Sequence, residues 1–254
     1  MTLSSSPDRG GRRLSIELVE LISEALVLFE AGEQLAADLP SFNVGQELLQ
    51  KKFGVAQIAM GQQGNQLLWL AQKGQCTLGE RKLLIDSANG NNRRLSVSVY
   101  GTTPEAFDVL QELWVQLVDC ERGLRPAQVA EGTSAREPIG RVVAAGRPIA
   151  VTTAIVKLPF RVNQLFPQAD FLREEVRGQL DDGYKLSRAP MMRFSLEVRI
   201  DWGLTQRNVN SVITFEPRSG DDLDSKVFFT RSPLPSDKHL KVVERFAEKF
   251  KPTT

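Results

Sequence analysis

Between Phe194 and Trp202 apolar and polar side chains alternate without a break: Phe194, Leu196, Val198, Ile200 and Trp202 against Ser195, Glu197, Arg199 and Asp201. A period of two puts one set on each face of an extended chain, so this segment predicts a strand with one buried and one wet face. Two further runs, 209–216 and 226–231, are separated by residues 217–224, whose proline, glycine and aspartates favour turn geometries. Three strands joined by polar loops predict an antiparallel meander. Ser232-Pro-Leu-Pro235 ends it, because proline has no amide to donate to a ladder. Ser236 then stands as a helix N-cap with Asp237 in the first turn, and Leu240, Val243, Phe246, Ala247 and Phe250 recur at helical spacing. Residues 191–251 read as a βββα unit.

Upstream the pattern is less uniform. Residues 14–40 fit either an amphipathic helix (Leu14, Leu18, Leu21, Ala25, Leu28) or a strand buried on both faces, and a strand near 20–30 is the preferred reading. It is preferred because a separate short helix follows, with Ser41 or Asn43 as cap, Val44, Leu48, Leu49 and Phe53 along it, and Gly54 as its stop. Short strands are predicted at 55–61, 66–72, 81–87 and 93–100, with a turn at Gly61-Gln-Gln-Gly64 and a hairpin at Asn89-Gly90. Thr103 as N-cap, Pro104 at the first helical position and the stripe Phe107, Leu110, Leu113, Trp114, Leu117 predict a helix to about Asp119. Strand, Thr/Ser-Pro turn and helix therefore occur in the same order at 95–118 and 227–250, although the side chains are not alike enough for a sequence repeat.

The expected organisation is a disordered tail at 1–13, an N-terminal α+β half at 14–120, a linker at 121–137 rich in glycine, proline and small polar residues, and a C-terminal α+β half at 138–254. Within the last, 139–144 and 149–158 would pair as strands and 170–180 would form a helix. The fold class is α+β, with mainly antiparallel sheets, helices packed on one face, and two similar strand-strand-helix halves.

Composition narrows the function. A chain of 254 residues can bury a sizeable core, and 32 basic against 31 acidic residues leave no global field to draw nucleic acid or an anionic membrane. Cys76 and Cys120 are too far apart in sequence to suggest a metal-ligand pair, and buried thiols in a reducing, cytoplasmic compartment are expected. The apolar stretch 14–29 is interrupted by Glu17, Glu20 and Glu24, which argues against a signal sequence or a membrane span.

Candidate chemistry is sparse. His239 is the only histidine and stands in the first turn of a predicted helix, with no motif presenting a nucleophile beside it, so an ordinary surface or helix-start residue is expected. One histidine and two distant cysteines make no zinc site, and no phosphate-cradling glycine loop is present. Asp221-Asp222-Leu223-Asp224 would suit a hard cation but also reads as an exposed turn; Glu174-Glu175 and Asp181-Asp182 read as solvated helix charge. The one asymmetry lies at 134–161, where Arg136, Arg141, Arg147, Lys157 and Arg161 face a single acid, Glu137, and form a candidate anion-binding segment.

Well-formed elements without a reactive constellation point to a non-catalytic protein-binding or assembly protein of the cytoplasm, whose partner is another protein or itself, with no cofactor, metal or membrane expected. Two alternatives belong to other classes. One is an enzyme using an Asp/Glu pair or a loop-bound divalent metal, with Asp222 and Asp224 as its candidates. The other is nucleic-acid binding through 134–161.

Overall fold

A computed structural model describes residues 16–28, 35–63, 66–91, 94–124, 149–161, 164, 196–199, 212–217 and 226–249. The chain divides into two compact units: a first comprising Ile22–Thr152 with Leu234–Ser236, and a second comprising Met1–Leu21, Thr153–Pro233 and Asp237–Thr254. Both are α+β, and antiparallel pairing prevails throughout the described strands. The tail at 1–13, the predicted strand at 139–144, the helix at 170–180 and most of the linker lie outside the described residues, although 121–124 prolong a helix.

The first unit is built from β1 (Glu17–Leu28, entering at Ile22), a short helix α1 (Leu35–Asp38) leading into a 3-10 turn (Leu39–Ser41), α2 (Asn43–Phe53), β2 (Gln57–Gln63), β3 (Gln66–Leu78), β4 (Arg81–Asn91), β5 (Arg94–Tyr100) and α3 (Thr103–Leu124). The strand preferred near 20–30 is thus a strand. Side by side the strands run β2, β3, β4, β5, β1. Register assigns the faces: Ala25 opposes Val97 and Val27 opposes Leu95, Ala88 opposes Val97, and Ala71 opposes Ala88, so these buried residues share one face. Against it α3 lays Ala106, Val109, Leu110, Leu113, Trp114, Leu117 and Val118, and α2 lays Leu49 and Phe53. At about 25 cal/mol per Å² of apolar surface removed from water, this face dominates the unit's stability.

Several boundaries differ from expectation. Asn89 and Gly90 are not a hairpin; they lie inside β4, with Gly90 opposite Trp69 on β3 and Leu95 on β5. A Cβ at Gly90 would stand 2.9 Å from the Arg94 carbonyl oxygen and 3.0 Å from the Trp69 ring, so glycine is there for close packing. Of the turn expected at Gly61-Gln-Gln-Gly64, the first three residues are strand and Gly64 lies outside the described residues. Gly54 does stop α2, in the left-handed region at φ 54, but neither Ser41 nor Asn43 caps its start: Phe42 holds the N-cap position and the Ser41 hydroxyl donates to Asp38 Oδ1 at 2.9 Å. Of the apolar residues expected along α2, Leu49 and Phe53 are buried and Val44 is exposed.

The second unit contains β6 from Thr153 (whole strand Ile149–Lys157), β7 (Leu196–Arg199), β8 (Val212–Pro217), β9 (Val227–Ser232) and α4 (Ser236–Lys249, entering at Asp237). Its strands run β6, β9, β8, β7, so the predicted βββα meander is present, with shorter strands among the described residues. Phe215, Phe228, Val243, Ala247, Ala154 and Val156 form its core, and Phe160 meets Phe228 edge-on with ring centres 5.7 Å apart.

The helix starts hold a second departure from the pattern. Thr102, not Thr103, accepts the first helical bond of α3, from the Ala106 amide at 3.0 Å, and Glu105 Oε2 accepts from the Thr102 amide and hydroxyl at 2.7 and 2.8 Å. Thr103 and Ser236 instead serve each other: the Thr103 amide donates to Ser236 Oγ at 3.0 Å, and the Ser236 amide donates to Thr103 Oγ1 at 2.8 Å. Each hydroxyl satisfies an orphan amide at the start of the other helix, 133 residues away.

Candidate functional site

The predicted anion-binding segment is only partly within the described residues. Lys157, at the end of β6, pairs with Glu17 Oε2 at 3.2 Å, both side chains being half exposed, so its charge is answered by a carboxylate. Arg161 is exposed, and its amide donates to Gln164 Oε1 at 2.8 Å. Arg136, Arg141 and Arg147 lie outside the described residues, as do Glu174, Glu175, Asp181, Asp182, Asp221, Asp222 and Asp224. Among the described residues no group of three or more histidine, cysteine, aspartate or glutamate side chains is placed to hold a metal ion.

His239 occupies the first turn of α4 as expected, but it is not a surface residue. It is 0 % exposed, as are Thr230 and Ser232, which reach it from the inward phase of β9. The ring bridges them: Nε2 lies 2.9 Å from Thr230 Oγ1 and Nδ1 lies 2.7 Å from Ser232 Oγ. Proton directions follow from the third bond. The Thr230 hydroxyl donates to the Ala154 carbonyl at 3.2 Å, which leaves its oxygen to accept from Nε2–H. Nδ1 must then accept from the Ser232 hydroxyl. This neutral tautomer satisfies every polar atom of the trio, and burial lowers the imidazole pKa to about 4. The signal was available in β9, where Thr230 and Ser232 fall in phase with buried Phe228; two hydroxyls on the core face of a strand require a polar partner.

The trio also has an apolar counterpart. Shifted by the 133 residues that separate Thr103 from Ser236, Thr230, Ser232 and His239 correspond to Val97, Val99 and Ala106, each of which is also 0 % exposed. The same strand-to-helix packing is therefore met by hydrocarbon in one unit and by a hydrogen-bonded chain in the other. The arrangement resembles a hydroxyl activated by a base, but both partners are enclosed in the core.

The cysteines are free and not poised for chemistry. Burial, with the Glu112 charge as a smaller contribution, pushes the Cys76 thiol up to about 11, and burial also raises Cys120. Neither is a thiolate near neutral pH.

Among the described strands, β2 presents an accessible sheet edge. This strand stands at the end of the order in the first unit, with β3 as its one neighbour among the described residues. Gln57, Ala59, Met60 and Gly61 are exposed, and the strand, Gln57–Gln63, contains neither charge nor proline. β7, the last strand of the second unit, carries Glu197 and Arg199 within four residues. Charges and shortness are the usual protection of a sheet edge; β2 has neither.

The chain matches no family model, no curated protein and no solved structure. The functional reading therefore rests on the geometry of these residues. No described helix is long and apolar enough to cross a membrane.

Proposed function

We propose that this protein works by binding another polypeptide in extended form along β2, as a non-catalytic assembly or adaptor protein of the cytoplasm. The observation that carries the reading is the uncharged, proline-free strand, exposed at Gln57 and Ala59–Gly61, that ends the order of the first unit among the described residues. Alternate residues of a terminal strand direct their amides and carbonyls away from the sheet, and an added strand satisfies them while side-chain pockets set its specificity. Met60, 44 % exposed, lies on the helix-bearing side opposite Trp69 and offers an adaptable thioether to an apolar side chain of the incoming strand. Two free cysteines of raised pKa suit a reducing compartment.

Strand addition recognises backbone first, so several unrelated peptides should share the site. Labelled seven-residue peptides with alternating apolar and uncharged polar positions, titrated by fluorescence anisotropy, are expected to bind saturably and compete with one another. Met60→Lys, which places a charge on the edge, is expected to weaken them all. If none of the peptides binds, the reading fails.

A further inference from the structure

We infer that the chain carries one strand-and-helix module twice, and that the two helix starts, tied to each other by Thr103 and Ser236, open and close as one. The inference is independent of β2. Outward from β1 the strands run β5, β4, β3, and outward from β6 they run β9, β8, β7, so each helix follows the strand that lies beside the first of its module. Positions correspond as well as order. The Ser23 hydroxyl donates to the Gly101 carbonyl at 2.8 Å, and the Thr152 hydroxyl donates to the Leu234 carbonyl at 2.7 Å. Gly101 and Leu234 each stand two residues before the hydroxyl residue of the coming helix start, Thr103 and Ser236. Setting Ser23 on Thr152 also sets Ala25 on Ala154 and Val27 on Val156, all of them buried. Setting Thr103 on Ser236 sets Leu110 on Val243 and Trp114 on Ala247, buried again. The two alignments agree, since Ala25 opposes Val97 and the Ala154 carbonyl accepts from Thr230, the counterpart of Val97.

Two copies of one position that touch about a two-fold relation do so reciprocally: what the first gives the second, the second gives the first. Thr103 and Ser236 meet that condition, each amide donating to the other's hydroxyl, at 3.0 and 2.8 Å. Leu234–Ser236 belong to the first unit although the helix they begin runs into the second, so this joint lies inside one compact unit. Thr103 and Ser236 are both buried, and an amide that loses its acceptor there finds no water in its place. The two bonds join the same two residues, so a displacement that breaks one lengthens the other. Local opening at the two helix starts is therefore a single event.

Amide hydrogen exchange on the full chain, followed by NMR, tests both parts. The amides at 103 and 236 are expected to show matched protection. Thr103→Ala removes the acceptor of the amide at 236 alone, and Ser236→Ala removes that of the amide at 103 alone. Each substitution should nevertheless lower the protection of both amides, by about tenfold. Ser23→Ala and Thr152→Val, which delete the corresponding hydroxyls that hold the chain ahead of each helix, should also act on both amides and by similar factors. Thr103→Ser combined with Ser236→Thr exchanges the pair while keeping both oxygens, and should retain the protection of the unsubstituted chain. Unequal protection in that chain, a loss confined to the amide whose acceptor was removed, or an exchanged pair no better protected than the alanine variants overturns the joint. Unequal responses to Ser23→Ala and Thr152→Val overturn the correspondence of the two copies.

Discussion

His239 contributes stability of an unusual kind for the only histidine of a chain, because it is held neutral by enclosure between two hydroxyls. Unfolded, the imidazole takes a proton near pH 6.5; folded, it does so only at about 4. Between those values the unfolded chain binds more protons, so the contribution is complete above pH 6.5 and declines as pH falls toward 4, by about 1.4 kcal/mol per pH unit. Urea unfolding at intervals across that range should show the decline. His239→Ala should cost about 2–4 kcal/mol at pH 7, since it opens a void and leaves the Ser232 hydroxyl without its acceptor. The combined change Thr230→Val, Ser232→Val and His239→Ala reproduces the composition at Val97, Val99 and Ala106, and is expected to cost no more than His239→Ala alone while flattening the pH dependence. A triple variant that costs as much as the separate losses added together would mean the three do not act as one network.

At the scale of elements, α3 and α4 begin with hydroxyls that serve each other's amides rather than their own helices. Thr103→Ala and Ser236→Ala should each cost about 1–2 kcal/mol in chemical denaturation, because each leaves a buried amide of the opposite helix unpaired. Thr103→Ser and Ser236→Thr keep the oxygen and should be mild. Sequence pattern placed a hydroxyl residue at both helix starts correctly, since Thr-Pro and Pro-Ser before an apolar stripe specify where a helix begins. It misassigned what those hydroxyls bond, because the partner lies 133 residues away and local spacing carries no record of it. Asn89-Gly90 failed for a related reason. The pair is a strong local turn signal, but Trp69 from the neighbouring strand needs the space above Gly90, and tertiary packing overrode the local preference.

For the molecule as a whole, net charge near zero and the lack of charged residues in β2 make a further expectation. Binding of the uncharged heptapeptides should change little between low and high salt, because no ion pair would join them to β2. A steep salt dependence would place the contact elsewhere. The α+β class, the antiparallel pairing, the amphipathic helices and the βββα meander were all legible in the residues, because side-chain period and turn chemistry act over a few positions. Of the five basic residues singled out, the described chain includes Lys157 and Arg161, and gives Lys157 a carboxylate partner, Glu17, that no reading of 134–161 alone contains. By itself the sequence determined which segments extend, which coil and which face of each is apolar. Which strand is left at the edge of its sheet, and which polar groups are enclosed together, was decided by tertiary structure, because both depend on contacts between residues that the chain holds far apart.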